Sequence, residues 1–160
     1  MEDVRWLDER EQRAWRSLQS MLMRLDGELA RRLAADSGLS YPDFTVLVEL
    51  TDRPDGRMRM FELAHALGWE KSRLSHHVGR MVTRGLVTKE TCDSDRRGAD
   101  VVVTERGRRE IAAAAPGHVE AVRRLFVDRI GPAQLDTIGE VADIVLAGLD
   151  EMDAAPDAGG

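Results

Sequence analysis

Two β-branched runs interrupt a chain otherwise written in helical spacing: LVTKETC at residues 86–92 and ADVVVT at 99–104. The residues between them are polar turn formers, so the two runs are predicted to pair as an antiparallel hairpin. Its tip carries DSDRRG, with Arg96 and Arg97 side by side. A tip of that composition is a poor place for a core and a good place from which to reach into something. The chain around it is acidic, with a formal net charge of −6.

That average conceals a patch. Between Lys71 and Arg97 seven basic residues stand against three acidic ones, a local net of +4, which leaves −10 for the rest. At 160 residues the chain is expected to form a single domain with a real core. Its 42% apolar and 32% charged content suits a soluble helical protein. No apolar run approaches the roughly 18 residues of a membrane span. The charged start, MEDVRWLDEREQRAW, lacks the apolar stretch of a secretory signal, so a cytoplasmic location is expected. The one cysteine, Cys92, leaves no disulfide framework and no multi-cysteine zinc site.

Along the chain, Trp15, Leu18, Leu22, Leu25, Leu29 and Leu33 recur at steps of three and four and predict one long helix over about 8–35. Its apolar stripe is either a core wall or a contact with another chain. Gly38 is suited to end it. SYPDF then reads as a new start, with Ser40 as cap and Asp43 completing a capping box. DRPDGR (52–57) reads as a loop, and MFELAHALG (60–68) as a short helix ended by Gly68. A further helix is predicted from about Glu70 to Arg84. After the hairpin, Thr104 caps a helix in which Pro116 and Gly117 are expected to introduce a kink before His118 to Ile130. GPAQL starts the last helix, with Leu135, Ile138, Val141, Ala142, Val145 and Leu149 on one face.

The order helix, short helix, turn, helix, hairpin is a helix-turn-helix followed by a wing. In the third of these helices, Leu74, Val78, Met81 and Val82 are expected to pack inward, with Ser72, Arg73, His76, Arg80 and Thr83 outward and Ser75 and His77 on the flanks. The outward set combines short hydrogen-bonders, imidazole and guanidinium, with no carboxylate after Glu70. Such a face alone is ordinarily just solvated. Beside a positioning helix and an arginine-tipped hairpin it suits the major groove of duplex DNA, where Arg and Ser reach base edges. The hairpin tip would enter the neighbouring minor groove, where narrow A·T tracts attract arginine. Arg97, braced by Asp95, is the expected inserter and Arg96 the expected phosphate contact. The plain alternative is a surface ion pair worth under about 1 kcal/mol.

From LAHALGWEKSRLSHHVGRMVTRGLV through DSDRRGADVVVTERG the chain resembles the MarR family of winged helix-turn-helix regulators. Asp95 and Arg97, then Thr104 after six residues and Gly107 after two more, match that family's wing pattern. The resemblance implies a mainly α fold: a winged helix-turn-helix over about 40–115, a two-stranded β-wing, and N- and C-terminal dimerisation helices (about 8–35 and 117–150). It further implies a homodimer on a roughly palindromic DNA site, released in many members by a small aromatic or phenolic effector. Ser72, Arg73, Ser75, His76, His77 and Arg80 become the recognition-helix contacts, and Arg96 and Arg97 the wing contacts. Trp69 is bulkier than the small aliphatic residue usual there; it fills a core gap, shifts the helix or stacks on a sugar. The family's redox sensors use a cysteine near the first helix, whereas Cys92 lies at the wing.

Other chemistry is weaker. Adjacent His76 and His77 diverge by about 100° on a helix and do not easily share a metal ion. No phosphate loop, metalloprotease helix or nucleophile elbow occurs, so neither catalysis nor a cofactor is expected. Trp15, Met21, Met23, Tyr41 and Phe44 are candidates for an effector pocket, but their helical spacing makes them core first. The expected function is a cytoplasmic DNA-binding repressor. The competing expectation is a winged module that binds an acidic protein partner.

Overall fold

In a computed structural model, residues 4–91 and 99–154 are described. The elements in chain order are α1 (Glu9–Ser37), α2 (Tyr41–Thr51), β1 (Arg57–Arg59), α3 (Met60–Leu67), α4 (Lys71–Thr83), β2 (Val87–Thr91), β3 (Ala99–Val103), α5 (Glu105–Leu125), a 3-10 turn (Val127–Arg129) and α6 (Pro132–Ala154). The chain divides into two compact units, residues 1–119 and 120–160.

In the first unit, α1 opens with a capping box: the Asp8 carboxylate accepts from the Glu11 N–H at 2.8 Å and the Glu11 carboxylate from the Asp8 N–H at 2.9 Å. Its apolar stripe divides. Leu29 and Leu33 are buried, whereas Trp15, Leu18 and Leu22 stay exposed, Trp15 to 52%. Ser40 and Asp43 form the predicted box at the start of α2, each bonding the other's backbone N–H at 3.2 Å. The core gathers α2 (Leu47, Leu50), α3 (Leu63), α4 (Leu74, Val78, Met81), β3 (Val101) and α5 (Ile111, Ala114).

The sheet has one strand more than the sequence predicts. β2 and β3 form the expected antiparallel hairpin, with Val87 opposite Val103 and Thr91 opposite Ala99. β1 pairs with the other edge of β3, with Met58 opposite Val101, giving the order β1-β3-β2. Residues Arg57–Arg59 are too few to show a period, and the polar loop before them hides the strand. Met58 is buried between two arginines, one of which, Arg59, pairs with Asp100 of β3 at 3.2 Å. Arg57 pairs with Glu90 of β2.

The junction of hairpin and α5 explains two positions of the wing pattern without DNA. The Thr104 hydroxyl donates toward the carbonyls of Gly85 (2.7 Å) and Leu86 (3.0 Å), and accepts from the Gly107 N–H at 3.0 Å, capping α5. Gly107 has to be glycine: a Cβ there would lie 2.2 Å from the Leu86 carbonyl oxygen. Gly85, at φ 71, turns the chain from α4 into β2 in the left-handed conformation that glycine adopts freely.

α5 runs through Pro116, where the sequence predicts a kink, and ends at Leu125 rather than at the expected Ile130. Proline removes one backbone donor, but the turns on either side hold. In the second unit, Arg123 pairs with Asp128 at 2.8 Å and the Gln134 side chain accepts from the Gly131 N–H at 2.7 Å ahead of α6. Along α6, Ile138, Val141, Val145 and Leu149 are all exposed, Val145 to 56%. No described helix is long and apolar enough to cross a membrane.

Candidate nucleic-acid interface

The candidate surface is the outer face of α4. Leu74, Val78 and Met81 fix its inner face in the core, fully buried. Ser72, Arg73, Ser75, His76, Arg80 and Thr83 are exposed, as the helical period predicts. Most of them line a hollow of about 530 Å³, open to solvent, together with Gly79. α4 contains no carboxylate, and Glu70, which precedes it, makes no side-chain cap bond. The first N–H groups of α4 therefore have no side-chain partner from Glu70, and the positive end of the helix dipole adds to the basic face. Hydroxyls, an imidazole and guanidiniums on such a surface suit base edges and phosphates.

Two placements on α4 differ from expectation. Val82, predicted inward, is 38% exposed, and His77, predicted on the flank as a DNA contact, is buried with only 7% exposure. The stripe that packs is 74, 77, 78 and 81, the i, i+3, i+4, i+7 set. At 100° per residue, His77 lies nearer the centre of that stripe than Val82 does. His77 therefore presents little surface to solvent.

What it meets instead is a buried polar cluster. Its Nε2 lies 3.1 Å from Oδ1 of Asp43, close in distance though bent away from the ideal hydrogen-bond line. Oδ2 of Asp43 accepts from Arg84 at 2.6 Å. On the far side of the ring, Nδ1 lies 2.8 Å from the Arg80 guanidinium. Burial pulls the Asp43 carboxyl upward, but the His77 ring beside it and hydrogen bonds from Arg84 and Ser40 outweigh it and hold the group well below the usual carboxylate range. Arg84, counted in the basic patch by sequence, is thus turned onto Asp43.

Trp69 is half-buried against the core, with its ring edge-on to His77 at 5.5 Å between centroids. Its other role was not expected: the Arg73 guanidinium lies over the indole, 4.3 Å from the ring centre, in cation–π geometry. Gly79 and Asp43 are the other residues that sequence reasoning left out of the site. The signal for Gly79 was a glycine in mid-helix whose Cβ would meet nothing, so no internal packing requires it.

Of the wing, β2 and β3 are seen, with Lys89 exposed on β2. Asp95, Arg96 and Arg97, and Cys92 beside them, lie outside the described residues. The pocket candidates scatter: Trp15, Met21 and Met23 are exposed, Phe44 is in the core, and Tyr41 is half-buried. Phe44 and Tyr41 pack on His118, with ring centroids 4.5 and 6.0 Å away. Burial lowers the His118 pKa from its ordinary value.

Comparison with known proteins gives this geometry a context. A sequence model described as the MarR family matches residues 37–98. AbsC, a MarR family transcriptional regulator from Streptomyces coelicolor, is 38% identical over 92% of this chain and 99% of its own, with a TM-score of 0.85. Sco3205 from the same organism, a MarR family transcriptional regulator solved in complex with DNA, is 40% identical over 93% of both chains, with a TM-score of 0.87. MarR of E. coli, solved with operator DNA, shares the fold at 19% identity over 82% of this chain and 91% of its own, with a TM-score of 0.72.

Proposed function

Because the chain belongs to the MarR family of transcriptional regulators, we propose that it is a cytoplasmic, homodimeric repressor that reads a pseudo-palindromic site in duplex DNA. The observation that carries this is the carboxylate-free outer face of α4 in a chain of net charge −6. Ser72, Arg73, Ser75, His76 and Arg80 enter a major groove, and Arg96 and Arg97, with Asp95 bracing, reach the flanking minor groove and its phosphates. Solved relatives that carry DNA support the same reading.

Homodimerisation is supported by the exposed apolar residues on α1 (Trp15, Leu18, Leu22) and on α6 (Val141, Val145, Leu149), since apolar side chains grouped on one exposed face mark protein contacts. A two-fold dimer sets its half-sites about one helical turn, roughly 10 bp, apart. A small aromatic effector would suit the Tyr41 and His118 rings, which lie near the start of α2.

The test is selection of the full-length protein against random duplex DNA at low and near-physiological salt. A palindromic motif with half-sites a turn apart, and affinity that falls steeply with salt, supports the reading. Arg97→Ala then weakens binding mainly on A·T-rich flanks. Enrichment of no sequence at either salt sinks it and favours the protein-interaction module.

A further inference from the structure

We infer that His77 is a positioning residue: buried beneath the DNA-reading face, it holds the arginine that reads from above. The inference rests on the DNA-reading function proposed for α4. An arginine side chain has five N–H donors and no acceptor. The ring nitrogen facing Arg80 at 2.8 Å, Nδ1, must therefore be the one without a proton. The proton then sits on Nε2, which faces Oδ1 of Asp43 at 3.1 Å. Asp43, fully buried and itself held by Arg84 and the Ser40 backbone, has little freedom to move. A fixed carboxylate thus lies beside the protonated nitrogen of a buried imidazole, and that imidazole offers one acceptor to an exposed guanidinium. Four of the five donors of Arg80 remain available to DNA.

The same ring serves a second arginine indirectly. Trp69 stands edge-on to His77, and its face carries the guanidinium of Arg73. Arg73 and Arg80 are seven residues apart, about 10 Å along the helix axis, close to the length of three base-pair steps. Both are long side chains that lose much rotamer entropy when they bind. Bracing them beforehand lowers that cost at two base steps without placing a buried group in contact with DNA.

Two near-isosteric substitutions separate this role from packing. His77→Gln reaches the Nε2 position and keeps a donor for Asp43, but offers nothing at Nδ1. His77→Asn places a carbonyl near Nδ1 for Arg80 and gives up Asp43. Full-length wild type, both variants and Arg80→Ala are each selected against the same random duplex library, with thermal melting alongside. Arg80→Ala identifies the motif positions that Arg80 reads. His77→Gln is expected to lose base preference at those same positions by about tenfold, as a lost bidentate contact does, and to add nothing in the Arg80→Ala background. His77→Asn is expected to keep the preference while melting lower. The inference is overturned if folded His77→Gln keeps the motif, if folded His77→Asn loses it, or if preference falls evenly at every position in step with melting temperature. A wild type that enriches no motif removes the proposed function and this inference together, whereas an intact wild-type motif with an indifferent His77→Gln removes the inference alone.

Discussion

Asp43 shows how much one side chain can carry. It closes the α2 capping box, accepts from Arg84 and faces His77, all while buried. Its carboxyl is held below the ordinary range in the fold, and titrates near 3.9 when unfolded. Its contribution to stability is therefore complete above about pH 5 and is lost as pH falls through 4 and lower. His118, lowered by burial, adds an earlier loss that begins as pH falls below about 6.5. Asp43→Asn should cost about 2 kcal/mol at neutral pH and remove only the later stage. Urea unfolding at pH 7 and pH 3.5 measures this; an equal deficit at both values would show that the carboxylate charge is not what matters. Gly107→Ala should cost about 3 kcal/mol by the same assay, since the added methyl meets a backbone carbonyl that has no room to yield. A loss under about 0.5 kcal/mol would mean the α5 junction is looser than its contacts indicate.

At the scale of elements, much was readable in advance because the signals were local. The helical period gave α1, α4 and α6, the Ser40 and Asp43 box placed α2, and the β-branched runs gave β2 and β3. β1 was not readable, since three residues carry no period. Nor was the inward turn of Arg84, whose partner lies 41 residues away in sequence. The exchange of Val82 for His77 in the packed stripe escaped for a different reason: hydropathy favours valine inside, and only a buried carboxylate makes imidazole the better occupant. The outer face of α4 was legible, whereas the bracing of its arginines was not, because Trp69 and His77 meet them only in three dimensions. Gly79 tests what that face is for. Gly79→Ala adds a methyl into open space and should stabilise α4 by up to about 1 kcal/mol, yet weaken binding to a selected duplex if DNA enters the hollow beside it. Melting and fluorescence anisotropy read the two effects separately, and unchanged affinity would clear Gly79 of any part in recognition.

For the whole molecule, the contrast is between a winged region with a packed core and two helices that carry uncovered apolar residues. Val141→Glu with Val145→Glu should leave the winged region folded, shift the protein to monomer in sedimentation, and lower DNA affinity by at least tenfold as the second half-site is lost. A dimer that persists would move the subunit contact away from α6. Those faces also bear on how the chain is made. The exposed part of α1 and the whole of α6 stand at opposite ends of the sequence, separated by the entire winged region. At synthesis rates of about 5–20 residues per second, Trp15, Leu18 and Leu22 leave the ribosome roughly 5–20 s before the first turn of α6 exists. During that interval the nascent chain exposes these apolar side chains to solvent, which makes it a natural client for a holding chaperone.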